Sequence, residues 1–305
     1  MGTEIEISHL KKSFGTTAAV VDLNLEVHAG EMMGLIGPDG AGKTTTLRIL
    51  CGLLIADAGE CWLGGKNVRT ELAAVRSFIG YMPQRFSLYP DLTVAENLRF
   101  FADLFQVAKA EREKRLQRLL EFSRLGPFAN RRAAALSGGM KQKLALSCTL
   151  IHTPKILLLD EPTTGVDPVS RREFWDILNE LLATGVTILV TTPYMDEAAR
   201  CDRVAFIHEG KMLITTEPDK IPVLYPNTLV EIQCDHNVRA AMVLRTSEQF
   251  ASVQCFGDRV HLSAKQPLAE IQSQVNQLLA AASIQVFGIK KISANIEDVF
   301  VELLK

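Results

Sequence analysis

From residue 1 to about 215 the chain alternates short apolar runs with stretches of helical character. Glu31-Met32-Met33-Gly34-Leu35-Ile36, Lys155-Ile156-Leu157-Leu158-Leu159 and Val186-Thr187-Ile188-Leu189-Val190 are continuous rather than alternating. Strands of that kind fit a sheet covered on both faces, so the pattern predicts an α/β domain with a mostly parallel centre. Lys43 to Leu53 reads as a helix directly after the first run. Thr93 to Phe105 and Glu111 to Leu125 also read as helices, with Gly126-Pro127 as the break. No strand pattern interrupts them, which predicts a helical subdomain inserted at about 86–150.

A second unit is expected after Glu217-Pro218, with 221–226 as the linker. Strand 228–234, helix 238–244, strands 253–256 and 259–262 around Gly257-Asp258, a helix with Leu268, Ile271, Val275, Leu278 and Leu279 on one face, strand 284–289 and helix 295–304 follow. That β-α-β-β-α-β order matches a ferredoxin-like arrangement. The expected organisation is an α/β domain at 1–218 and a small α+β domain at 219–305.

The candidate chemistry sits at the ends of the apolar runs. Gly37-Pro38-Asp39-Gly40-Ala41-Gly42-Lys43-Thr44 fits G-x-x-x-x-G-K-T and lies between a predicted strand and a predicted helix. Glycines let backbone N–H groups turn inward around phosphate oxygens, and the helix N-terminus favours the anion. Lys43 supplies a charge near the β and γ phosphates of a nucleoside triphosphate, and Thr44 a hydroxyl for Mg²⁺. Asp160 and Glu161 close another strand, on the edge where open α/β sheets bind ligands. Asp160 is expected to hold the metal and Glu161 to orient and deprotonate the attacking water.

Between these motifs lies Leu136-Ser137-Gly138-Gly139-Met140-Lys141-Gln142-Lys143, at the start of a predicted helix. Here residues 4 to about 215 resemble the nucleotide-binding domain of the ABC ATPases, and the octapeptide is similar to that family's signature sequence. The fold implied is an ABC-type P-loop ATPase domain with an inserted helical subdomain. The resemblance implies ATP and Mg²⁺ as cofactors, with Gly37 through Thr44 and Thr45 holding the phosphates. Phe14 matches the aromatic that stacks on adenine; its alternative is core packing. Gln84, after Tyr81-Met82-Pro83, matches the glutamine that touches Mg²⁺ or its water. Ser137 and Gly139, with Gly138 between them, match groups that contact a γ-phosphate held by the opposite subunit. Asp167 matches the loop that communicates between the two sites. A complete site then needs two domains facing head to tail.

One position departs from the pattern. The family carries a γ-phosphate-contacting histidine shortly after the strand that matches 186–190. This chain has Thr191-Thr192-Pro193-Tyr194-Met195-Asp196-Glu197-Ala198, with Pro193 at that place. Proline has neither a side-chain donor nor a backbone N–H. ATP binding with weak hydrolysis at this chain's own loop is expected, along with pairing to a different domain that carries the histidine.

Composition adds boundaries. The formal net charge of −2 gives no sign of a polyanion partner, so no nucleic acid is expected. No apolar run approaches the length of a bilayer span and no signal peptide is read. A cytoplasmic protein is expected, peripheral on the inner face of the membrane through a permease. Six cysteines, none at CxxC spacing, read as small buried hydrophobes. The segments ending in Pro168 and Ala198, and Ile296-Glu297-Asp298-Val299-Phe300, resemble subunits of drug and lipid exporters. That implies an exporter ATPase whose transmembrane permease docks on the region from about 85 to 130. Phe86, Leu88, Phe100, Phe101 and Phe105 are candidates to line the groove, against packing in their own core. The alternative classes are a soluble ABC ATPase that remodels a nucleic-acid or ribosomal complex, and a motor gated by a sensor in 228–305.

Overall fold

The computed structural model describes residues 2–85 and 88–304. The chain divides into two units, Met1–Pro218 and Asp219–Lys305. In the first, the strands are β1 (Thr3–Phe14), β2 (Thr17–His28), β3 (Met32–Ile36), β4 (Ala58–Leu63), β5 (Lys66–Asn67), β6 (Ile79–Met82), β7 (Ile156–Asp160), β8 (Thr187–Thr192), β9 (Arg203–His208) and β10 (Lys211–Thr216). Its helices are α1 (Lys43–Leu50), α2 (Leu72–Phe78), α3 (Val94–Leu104), α4 (Lys109–Phe122), α5 (Gly138–Leu150), α6 (Pro168–Leu182) and α7 (Met195–Ala198).

The central sheet runs β10-β9-β3-β8-β7-β6. Every pair in it is parallel except the edge pair β9/β10. β3, β7 and β8 are buried at every position, which is why their apolar runs are continuous. Met33, Leu35, Ile156, Leu158, Leu189, Ala205 and Ile207 face a core shared with Leu47 and Leu50 of α1. Their alternating neighbours point to the opposite face.

The same core contains Ile5, Leu10, Leu23 and Val27, from an antiparallel sheet of order β2-β1-β4-β5. Sequence reading did not resolve this sheet. β1 and β2 alternate buried with exposed residues, and four register irregularities blur the alternation along their hairpin.

Between β6 and β7 the chain is helical. Thr93 caps α3 in a reciprocal capping box with Glu96, a start signal legible in the sequence. Val94, Leu98, Leu116, Leu120, Leu144 and Cys148 form the local core of α3, α4 and α5. Of the cysteines, Cys51, Cys61, Cys148, Cys201 and Cys234 are buried free thiols, with that of Cys61 pushed up to about 12 by burial. Cys255 is exposed, contrary to the expectation for it.

The second unit opens with a 3₁₀ helix, Pro218–Leu224, that buries Ile221, so the segment read as a linker is folded. β11 (Thr228–Cys234), α8 (Asn237–Arg245), β12 (Ser252–Phe256), β13 (Arg259–Ala264), α9 (Leu268–Ala281), β14 (Val286–Lys291) and α10 (Ile296–Leu303) follow. The antiparallel sheet has the order β12-β13-β11-β14, the ferredoxin-like arrangement. Val230, Ile232, Val260 and Leu262 pack with Leu244, Ile271, Val275 and Leu279 of its helices.

One half-buried histidine in the first unit has a pH consequence. His152 stacks on Phe105 with ring centroids 4.1 Å apart, and its Nε2–H donates to the Ile79 carbonyl at 2.9 Å. Nδ1 is buried without a hydrogen bond, and burial holds the imidazole pKa below its usual value. The folded chain therefore binds this proton less well than the unfolded chain. The stability contributed by neutral His152 is complete above about pH 6.5 and falls as pH drops below it, levelling off beneath the folded pKa. Thermal unfolding of His152→Gln between pH 7.5 and 5 is expected to lose less stability than the parent (about pH 6.5 being the onset). Parallel curves for the two proteins would contradict this assignment.

Candidate nucleotide site

The register of the parallel strands builds the site. Thr191 of β8 lies opposite Leu35 of β3 on one side and Asp160 of β7 on the other. Thr192 lies opposite Ile36, so the ends of all three strands meet on one edge. The phosphate loop leaves β3 there, Asp160-Glu161 leave β7, and Pro193 leaves β8. The Gly37 N–H donates to the Thr192 carbonyl at 3.4 Å, which places the loop and the Pro193 turn side by side.

Residues 39–45 of the loop line a cavity of about 350 Å³ together with Ala19, Gln84 and Glu161. Gly42 precedes α1 at φ 104, and a Cβ there would lie 2.4 Å from the Ala19 carbonyl oxygen, so only glycine fits. Lys43 is 3% exposed. Its ammonium donates to the carbonyls of Gly37 at 2.7 Å and Pro38 at 3.0 Å, and lies 3.1 Å from Glu161 Oε1. All three of its donors have acceptors.

Asp160 receives hydroxyl donors. Thr44 Oγ1 donates to Oδ1 at 2.9 Å, Thr191 Oγ1 to Oδ1 at 3.0 Å and Tyr81 Oη to Oδ2 at 3.4 Å. Burial pushes its carboxyl above the ordinary range, while the bonds from Thr44 and Thr191 pull it back. An all-oxygen set of this kind suits a hard divalent cation.

Glu161 has φ 48, a left-handed conformation uncommon outside glycine. Its N–H is fixed by the Thr191 carbonyl at 3.2 Å and Thr191 Oγ1 at 3.0 Å. Its Oε2 accepts Gln84 Nε2 at 2.8 Å and the Thr164 hydroxyl at 3.4 Å. Thr191 thus orients both acids. Its type and place were visible in the sequence, but its role depends on register.

The comparisons with known proteins bear on this geometry. The family model described as "ABC transporter" matches residues 20–164. The chain is 37% identical over 302 residues to "Nod factor export ATP-binding protein I" of Cupriavidus pinatubonensis, covering 98% of this chain and 90% of that protein. The chain belongs to the ABC transporter ATP-binding family. It is also 40% identical over 304 residues to the "Probable multidrug ABC transporter ATP-binding protein YbhF" of Escherichia coli, and spans about half of that relative's length (52%). Among solved structures, the ATP-binding subunit of an ABC transporter aligns with TM-score 0.65 and 31% identity, over 72% of this chain and 92% of that one. A dimeric ATP-binding cassette in a post-hydrolysis state, bound to ADP and Pi, aligns with TM-score 0.63 and 28% identity, over 70% of this chain and 98% of that one.

The ABC signature segment does not reach the phosphate-loop cavity. Ser137 caps α5 by accepting the Met140 N–H at 3.3 Å, and Ser137 and Gly138 are exposed. Gly138 lines a separate cavity of about 410 Å³ with Arg85, Leu88, Pro90, Lys141 and others. Gln84 lines both cavities. Phe14 is 50% exposed at the end of β1, which excludes core packing for it. Of the apolar groove candidates, Leu88 lines the larger cavity. Phe100 instead packs on Tyr89 and Phe101, Phe101 joins the helical core, and Phe105 covers His152. Phe86 lies outside the described residues.

Gly139 is buried where α5 meets α6: a Cβ there would lie 2.3 Å from Ser170 Cβ. Gly139→Ala is expected to destabilise the chain by about 1–3 kcal/mol, as overpacking does. Adding Ser170→Gly should recover part of the loss in urea unfolding. Strict additivity of the two substitutions would contradict the contact.

Proposed function

We propose that this chain is the ATP-binding subunit of an exporter, with weak hydrolysis at the site built on its own phosphate loop. The observation that carries the reading is Pro193, set beside Gly37 by the strand register while Glu161 stays in place. Asp39 through Thr45, with Gly37 and Pro38 behind them, hold the triphosphate and Phe14 stacks on the base. Thr44, Asp160 and Gln84 would hold Mg²⁺, which would supply charge neutralisation for the phosphates. The 2.9 Å contact between the Thr44 hydroxyl and the Asp160 carboxylate supports that placement. Glu161 orients the attacking water, and Pro193 supplies no donor toward the γ-phosphate.

Ser137 and Gly139 act on a second nucleotide-binding domain, whose own phosphate loop they complete. The exposure of Ser137 and Gly138, outside this chain's cavity, supports that division of the site. A transmembrane permease docks over the cavity that Leu88, Arg85 and Gln84 line, so that Gln84 meets both the permease and Glu161. No helix among the described residues is long and apolar enough to cross a membrane. Peripheral attachment at the cytoplasmic face, through the permease, accounts for localisation. The transporter names of the relatives favour export over remodelling of a nucleic-acid or ribosomal complex.

Pro193→His is expected to raise ATP turnover by about tenfold or more, the scale of one restored transition-state donor. Turnover no higher than the parent's would sink the reading of Pro193. Mixing the parent with a second cassette that carries the histidine should raise the rate above the sum of the two. A rate linear in this chain alone, unaffected by the second cassette, would refute pairing with a different domain.

A further inference from the structure

The buried carboxylate of Glu197, on the short helix α7, takes no part in the site described so far. It is 1% exposed, and both its oxygens are engaged. Thr163, three residues beyond Asp160, donates its hydroxyl to Oε1 at 2.6 Å. Thr192, the last residue of β8, donates its hydroxyl to Oε2 at 2.5 Å. Thr163 and Thr192 are 1% and 0% exposed, so neither hydroxyl has water as an alternative. One side chain therefore bridges the segment after β7 and the segment after β8.

A fourth segment closes the cluster. Arg171, in the first turns of α6, brings Nε to 3.6 Å from Glu197 Oε1, and its guanidinium lies 4.2 Å from the Tyr194 ring centroid. Arg171 is joined to the loop before α6, since its N–H donates to the Asp167 carbonyl at 2.9 Å. Asp167 in turn caps α6 through Ser170. The Thr192 hydroxyl does two jobs, because its oxygen also accepts the Tyr194 N–H at 3.0 Å. The Pro193 turn is thereby held from its first residue and from its far side. A buried charge is costly unless compensated, and here two hydroxyls and a guanidinium compensate it. A group held at such cost over-determines whatever it joins.

We infer that Glu197 is a positioning residue, tying the Thr163–Asp167 segment to the Pro193 turn so that the two shift together. The first segment follows the acidic pair, and the second lies beside the phosphate loop through the Gly37–Thr192 bond. A histidine or a proline at position 193 would therefore ride on the same tie, and its placement would be set by Thr163 and Thr192. The tie itself is a property of the single chain. Only its consequence for a second domain rests on the paired-site reading above.

Hydrogen exchange on the full-length chain tests it. Thr163→Val keeps side-chain shape and removes one donor. It is expected to speed amide exchange about tenfold in residues 194–198, across the bridge from the substitution. Thr192→Val is expected to speed exchange in 163–167, and Thr163→Ser to restore the parent's rates. Affinity of the Thr163→Val chain for a fluorescent ATP analogue should stay within about twofold, since Thr163 touches no phosphate-loop group. Effects confined to each substitution's own segment would overturn the tie. In a second arm, Glu197→Gln should weaken ATP-driven association with a second cassette at unchanged nucleotide affinity. If that arm fails while cross-segment exchange rises, the paired-site reading falls and the tie stands. If exchange does not cross the bridge, the tie falls whatever the association shows.

Discussion

Thr191 faces Leu35 on one neighbouring strand and Asp160 on the other, and the site depends on that row of pairings. Its hydroxyl reaches Asp160 and its carbonyl and hydroxyl hold the Glu161 N–H. Because the three strands run parallel, a loop with glycines, an acidic pair and a proline turn all emerge on the same side. A one-residue slip of β8 would turn Thr191 to the other face of the sheet and leave both acids without it. The continuous apolar runs have their functional meaning here: burial on both faces fixes the register, and the register fixes the chemistry.

The same edge shows three ways of keeping a carboxylate out of water. Asp160 relies on hydroxyls, which leaves its charge for a cation to use. Glu161 shares its charge with Lys43 and takes Gln84 as a further donor. Glu197 combines hydroxyls with a guanidinium at longer range. Low dielectric makes all three strong and all three intolerant of losing a donor. Their different neighbours give three acids on one edge three different electrostatic surroundings.

The motifs at 37–44, 136–143 and 160–161 were legible because they are local: a spacing, a strand end, a helix start. So were the ferredoxin-like order and the helices of the insertion, whose capping box and apolar faces are written in consecutive residues. The long β1/β2 hairpin was not legible, since its register irregularities break the alternation that signals a strand. The roles of Thr191, Thr192 and Glu197 were not legible either, although all three flank Pro193 in the sequence. Glu197 meets Thr163 across 34 residues, and no spacing rule connects them. Phe101 packs against the helical core while Phe105 is 40% exposed over His152, a difference that sequence does not show because both are aromatics on one helical stretch.

The second unit ends its sheet on β14, an edge strand whose outer backbone groups have no strand beside them among the described residues. Such an edge invites another chain to add to it. Lys290 and Lys291 stand exposed along it, with Lys290 held 3.0 Å from Glu231. Cations in register along a would-be cross-strand stack repel their own copies. The lysines on this edge therefore disfavour strand addition by a second copy of the small unit.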